Sequence, residues 1–271
     1  MKTEKYLQRI GTEQTDFVPN LDNLKHLQRR HLLNIPFENL DIHWKKPIDL
    51  SSESLYRKIV ENRRGGFCYE LNGLFFELLQ NTGYESKRVS ARVSDGKGNF
   101  GQEFDHLAII TRIEGEDYLV DVGFGDFFAE PIKFVLGEEQ TDANGTFLIR
   151  KFDEKYFEVA KKNEESFISQ YIFTLQERSL SEFGDMCLFH QTSPDSHFTQ
   201  NKVCSLMHTG GRKTLTDKKF ITTKATQKKE VAINSEEEFE EILEREFGIK
   251  PPVQFEPKNA VGRMTATRKS L

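Results

Sequence analysis

Only three cysteines, Cys68, Cys187 and Cys204, occur in the 271 residues. They are too few and too scattered for a disulfide framework or a zinc site. An excess of base is also missing. The 38 Lys and Arg stand against 43 Asp and Glu, a net charge of -5, which argues against a general nucleic-acid binder. No apolar run approaches the roughly 18 residues that a membrane helix needs. The stretch Met1-Lys2-Thr3-Glu4-Lys5-Tyr6 lacks an apolar signal core, so no secretory signal is expected. The natural home is then a reducing cytoplasm, where a free thiol stays reactive. Internal repeats and low-complexity segments are absent as well.

Phenylalanine, by contrast, is abundant: 23 residues against a single Trp. Aromatic packing of the core accounts for most of them, and some could line a pocket. The length suits two or three compact units. Residues 1 to about 83 read as helical. Leu24, Leu27, Leu32 and Leu33 belong to a helix that must end before Pro36, because proline disfavours helix in the residue before it. Pro36 to Leu40 reads as a turn, and Ser51-Ser52 offers an N-cap to the next helix. From about 85 the period changes to 2. Strands are expected at 88–93, 106–111, 118–122, 147–150, 156–160 and 167–174, joined by charged turns, and many short strands suggest a barrel. Ser193 to Ser196 is a turn, and further strands are expected at 203–207, 213–215, 219–223 and 231–233. Ser235-Glu236-Glu237-Glu238 forms a capping box for a helix with Phe239, Ile242, Leu243 and Phe247 on one stripe, ended by Gly248. The tail after Pro251-Pro252 reads as a polar loop able to pack over a site. The basic run from Arg212 to Lys229 reads as a solvated face.

One stretch stands out chemically: Arg63-Arg64-Gly65-Gly66-Phe67-Cys68-Tyr69-Glu70-Leu71-Asn72. Two glycines permit a tight chain approach, by tolerating backbone angles that other residues resist. Leu71, Leu74, Phe75, Leu78 and Leu79 then recur at helical spacing, with Gly83 as a stop. Cys68 is expected on the first turn of a buried helix, where unpaired N–H groups and the dipole favour a thiolate. A thiol nucleophile needs a base, and the base an orienting group. His106 opens one strand and Asp121 lies near the end of the next, so neighbouring strands would set them side by side. Cys187 and Cys204 have no comparable setting and read as core. His190, His197 and His208 form no recurring Cys/His ligand pair, so no metal site is expected.

Arg64-Gly65-Gly66-Phe67-Cys68-Tyr69-Glu70-Leu71-Asn72 closely resembles the active-site signature of the arylamine N-acetyltransferases. Pro36-Phe37-Glu38-Asn39-Leu40, His106-Leu107 and Val120-Asp121-Val122-Gly123-Phe124-Gly125 resemble three further motifs of that family, in the same order. The resemblance runs to about residue 131 and is weaker beyond, with Ser193-Pro194-Asp195-Ser196-His197-Phe198 as its best anchor. It implies an α+β fold with a papain- or transglutaminase-like Cys-His-Asp arrangement. The units would be an N-terminal helical bundle (1–84), a central antiparallel β-barrel (85–190) and a C-terminal α/β lid (191–271).

The implied activity is ping-pong acetyl transfer from acetyl-coenzyme A, through an acetyl-Cys68 thioester, to an arylamine, arylhydrazine or hydrazide, in the manner of a xenobiotic-metabolising transferase. Acetyl-CoA would act as co-substrate, with no other cofactor, no metal, no nucleic acid and no membrane partner. Cys68 would be the nucleophile, His106 the base and Asp121 the orienting carboxylate. Phe37, Phe124 and Phe198 would line the acceptor pocket. Two other readings keep the same scaffold: an amide synthase or transglutaminase-like acyl transferase using the same triad, and a non-catalytic binding module. The chain departs from many bacterial members after Gly125, where Asp126-Phe127-Phe128 replaces a small residue and a Gln. A carboxylate there is unfavourable beside a pyrophosphate unless it points away, and the basic run from Arg212 is the alternative place for phosphates.

Overall fold

The structure is a computed structural model and describes residues 1–13, 17–164, 166–225 and 227–252. The tail expected as a polar loop falls almost wholly outside these residues.

The N-terminal part contains α1 (Thr3–Arg9), α2 (Leu21–Asn34), β1 (Phe37–Glu38), α3 (Leu40–His43), α4 (Ser52–Tyr56) and α5 (Cys68–Asn81), with a π-helical turn, Arg57–Glu61, continuing α4. The side chain of Asn20 caps α2 by accepting from Asn23 N–H at 2.9 Å. Helix α5 is the hub. Leu71, Leu74, Phe75, Leu78 and Leu79 are fully buried, in a core shared with Leu24, Leu27 and Ile59. The segment expected as a turn at Pro36–Leu40 is instead the short strand β1 followed by α3. It pairs with a strand 168 residues later, Phe37 opposite Ser205, a contact no local signal announces.

Eight strands make the central sheet: β2 (Glu85–Val93), β3 (His106–Ile113), β4 (Glu116–Val120), β5 (Ile132–Lys133), β6 (Glu139–Asp142), β7 (Gly145–Lys151), β8 (Phe157–Asn163) and β9 (Ser166–Glu177). Their order is β5-β4-β3-β2-β9-β8-β7-β6, and every neighbouring pair is antiparallel. The two edges almost meet. The Gln140 amide on β6 accepts from Lys133 N–H at 2.7 Å and donates to Lys133 C=O at 2.8 Å on β5. A side chain thus does the work of a missing ladder residue and nearly closes the barrel. Phe127, Phe128, Phe147, Tyr171 and Phe173 fill its interior.

A one-turn 3-10 helix (Leu180–Phe183), α6 (Gly184–Thr192) and α7 (His197–Gln200) follow. The sequence reading placed no helix here, because α6 begins on a glycine, a poor helix former. What holds it is tertiary burial: Phe183 and Cys187 enter the core around α5. The chain then forms β10 (Val203–His208), β11 (Gly211–Thr216), β12 (Lys219–Lys224), β13 (Gln227–Ala232) and α8 (Glu236–Phe247). The second sheet has the order β1-β10-β11-β12-β13. Ser235 caps α8 by accepting from Glu238 N–H at 3.2 Å, and Gly248 ends it at φ +67°. Phe239, Ile242 and Leu243 pack on Cys204 and Leu215.

Candidate active site

Cys68 is the first residue of α5, with Phe67 as the N-cap. The helix start is held by Glu70, whose Oε2 accepts from Phe67 N–H at 3.1 Å. Gly65 and Gly66 are needed for space rather than for unusual angles, since neither has a positive φ. A Cβ on Gly65 would fall 1.9 Å from the Pro36 carbonyl oxygen, where β1 passes alongside.

Beneath this turn lies a buried charge cluster. Lys58 Nζ is 2.8 Å from Glu70 Oε1 and 2.9 Å from Asp41 Oδ2. Arg64 Nη2 is 2.6 Å from Glu38 Oε1, and its Nη1 is 3.1 Å from Asp41 Oδ1. Three carboxylates face two cations. Burial pushes the Glu70 carboxyl up to about 7, with Lys58 acting against that shift. The cluster ties the segment of Glu38 and Asp41 to that of Arg64 and Glu70, and so fixes the turn that presents Cys68.

The barrel supplies the next two groups. The register sets Ile109 opposite Val120. Continued one residue, it puts Asp121 opposite Ala108, so His106 is the diagonal neighbour on the same face. The ring Nε2 of His106 is 2.7 Å from Asp121 Oδ2, with both residues nearly inaccessible. Asp121 accepts three further bonds: from Tyr171 O–H at 3.1 Å, from Asn72 Nδ2 at 2.8 Å and from Gly123 N–H at 2.8 Å. A carboxylate can only accept, so Nε2 carries the hydrogen and Nδ1 is left as the basic nitrogen. Asn72 is one helical turn after Cys68. It also donates to Leu107 C=O at 2.6 Å and accepts from Val122 N–H at 2.9 Å. One amide therefore locks the helix that begins at Cys68 to the strands of His106 and Asp121. Gly123 lets the two meet, because a Cβ there would lie 2.8 Å from both Cys68 Cα and Asn72 Nδ2.

Cys68 and His106 open onto one cavity of about 1000 Å³, and Phe37, Phe124 and Phe198 line it too. All six residues named from the sequence thus converge on this region, Asp121 from behind His106. The Phe124 ring stands edge-on to His106 at 5.1 Å, and Phe37 and Phe198 lie 6.2 Å apart. Burial pushes the Cys68 thiol well up, Asp105, Cys187 and Asp121 add to this, and the Tyr69 N–H opposes it. The thiol stands at the helix start, as expected, and burial acts against its ionisation there. Cys187 and Cys204 are buried free thiols, as read.

After Gly125, Phe127 and Phe128 turn into the barrel, while the Asp126 carboxylate stays at the cavity edge. It lies 3.3 Å from Lys161 Nζ and 3.9 Å from Arg212 Nε, so it faces cations. Of the basic run, Arg212 and Lys218 reach the cavity. Lys219 and Lys228 pair with Glu230 instead, and β13 is exposed throughout. Sequence reasoning missed Asn72, Tyr171 and Asp105. The four-residue spacing from Cys68 could have found Asn72, whereas Tyr171 arrives from a strand 50 residues beyond Asp121.

An N-acetyltransferase family model matches residues 20–254. Arylamine N-acetyltransferase 2 of Mus musculus is 30% identical, the match covering 96% of this chain and 98% of the mouse protein. A pineal gland isozyme of arylamine N-acetyltransferase from Gallus gallus is 32% identical over 98% of this chain and all of that protein. The arylamine N-acetyltransferase structure from Salmonella typhimurium superposes with a TM-score of 0.85 at 26% identity, covering 91% of this chain and 90% of that one. The Mycobacterium marinum enzyme in complex with CoA gives 0.83 at 28% identity, covering 92% and 93%. This chain therefore belongs to the arylamine N-acetyltransferase family of acyltransferases.

Proposed function

We propose that the protein transfers an acetyl group from acetyl-CoA to an arylamine, arylhydrazine or hydrazide in two half-reactions, with Cys68 as nucleophile, His106 as base and Asp121 as orienting carboxylate. The observation that carries this reading is the Asp121 contact to His106 Nε2, which leaves Nδ1 as the base in the cavity that also holds Cys68. The CoA complex of the M. marinum relative supports the choice of donor.

Because burial disfavours an isolated thiolate, the thiolate forms only as the partner of a protonated His106. It attacks the thioester carbonyl, and backbone N–H groups at the helix start stabilise the oxyanion, each by about 3 kcal/mol. The intermediate collapses by expelling the CoA thiolate, which takes the proton from His106. One thioester replaces another, so the step is nearly balanced. An aromatic amine, neutral at pH 7, then attacks acetyl-Cys68. His106 takes the amine proton as the C–N bond forms, and Cys68 leaves as the thiolate. Phe37, Phe124 and Phe198 offer an aromatic acceptor its faces and exclude water. Free, buried cysteines suit a reducing compartment such as the cytoplasm.

Mass spectrometry after mixing with acetyl-CoA tests the reading. An acetyl adduct of about 42 Da on Cys68, discharged by an arylamine, is expected. A protein with a titratable Cys68 thiol but no adduct would refute it.

A further inference from the structure

The cavity contains a second histidine–carboxylate pair that the chemistry above does not use. His190, on α6, is buried, and both it and Asp105 line the cavity with Cys68. Its Nε2 lies 3.2 Å from Asp105 Oδ1, off the axis of an aligned hydrogen bond and with no other partner. The contact is therefore a close approach of ring edge and carboxylate rather than an aligned hydrogen bond. Asp105 is anchored in turn, since its Oδ2 accepts from Val93 N–H at 3.2 Å. On the other side of the ring, Nδ1 is 3.1 Å from Ser196 Oγ.

These contacts have a consistent polarity. Asp105 can only accept, so it favours the hydrogen on Nε2 and leaves Nδ1 to accept from the Ser196 hydroxyl. The Ser196 oxygen keeps its lone pairs and accepts from Phe198 N–H at 3.2 Å. Ser196 is the N-cap of α7, a four-residue helix too short to hold itself. The Phe198 ring stands edge-on to His190 at 5.1 Å and to Phe67 at 5.7 Å. A chain of contacts thus runs from the barrel loop at Asp105, through α6, to the backbone that carries Phe198.

We propose that Asp105, His190 and Ser196 form a positioning relay that holds Phe198 as one wall of the acceptor site, so that acceptance of an aromatic amine depends on His190 while acetylation of Cys68 does not. The inference rests on the acetyl-transfer reading and deepens it. His190 acts through Phe198 and is a positioning residue, not a catalytic one.

Ping-pong kinetics separate the two halves, because kcat/KM for each substrate reports its own half-reaction. The variants His190→Leu and Ser196→Ala break the relay at different links, and His190→Gln keeps one donor and one acceptor. For both broken variants, kcat/KM for an arylamine should fall about tenfold, while kcat/KM for acetyl-CoA stays within about twofold and His190→Gln recovers most of the loss. Hydrazine, which has no ring to stack, should lose little. Equal losses for acetyl-CoA and arylamine would assign His190 to general scaffolding and overturn the relay. Equal losses for hydrazine and arylamine, or no loss at all, would also overturn it. A wild-type protein that forms no acetyl adduct overturns the acetyl-transfer reading and the relay with it, a result distinct from any of these.

Discussion

Replacing Asp121 with Asn changes one atom and should nearly abolish acetyl transfer. The carboxylate is 1% exposed, and its two oxygens have different neighbours. Oδ1 accepts from Asn72 Nδ2 and Gly123 N–H, both obligate donors. An amide at this position must therefore keep its oxygen there and turn its NH2 toward His106 and Tyr171. Tyr171 can rotate its hydroxyl and accept. His106 must then accept at Nε2, which drives its hydrogen to Nδ1, the nitrogen that has to take the Cys68 proton. Every hydrogen bond survives, so stability should change by only about 1 kcal/mol. The rate, however, should fall on the order of 10⁴-fold, as expected when an orienting carboxylate is exchanged for an amide that enforces the wrong tautomer. CoA release by the purified variant measures the loss, and urea unfolding checks the fold. A cooperative, wild-type-like unfolding curve with more than about a hundredth of the wild-type rate would sink the tautomer argument. Asp121→Ala is the contrast. It strands several buried donors and should cost about 1–3 kcal/mol for each one left unpaired.

The thiol itself gives a second prediction. Cys68 alkylation by iodoacetamide should persist well below the ordinary thiol pKa of about 8.5 in the wild type, whereas in His106→Ala burial should move it above that value. Coincident wild-type and variant profiles would remove the imidazole from thiolate formation. Glu70 gives a pH-dependent stability. Its folded pKa is raised from 4.5 to about 7, so its contribution is full below 4.5 and is lost as pH rises through 7. Relative to Glu70→Gln, the wild type should lose roughly 3 kcal/mol across that window. Urea midpoints at a series of pH values read this out, and parallel curves would contradict the raised pKa. Gly123→Ala should cost about 1–3 kcal/mol of stability by overpacking, with acetylation of Cys68 impaired alongside. A fully active, fully stable Ala variant would show that the 2.8 Å approach to Cys68 Cα is not required.

How far the site could be read in advance follows from the range of each interaction. Cys68 was legible because a helix start is a local event, marked by apolar residues at helical spacing within about ten positions. His106 and Asp121 were legible as a pair because two consecutive strands joined by a tight turn must be neighbours. The helix α8, with a Ser at one end and a Gly at the other, was legible for the same local reason. Helix α6 and strand β1 were not, since burial against distant segments outweighs their weak intrinsic signals. The ionisation of Cys68 has a local and a distant part. The dipole of α5 belongs to its own residues, whereas burial of the sulfur and the charge effects of Asp105, Cys187 and Asp121 come from other elements. The charge cluster marks the boundary between the two cases. Glu38 and Asp41 sit in one stretch and Lys58, Arg64 and Glu70 in another, and in the fold the two stretches pair their charges. Unpaired charges cannot be buried cheaply, so two such stretches in one chain point toward each other.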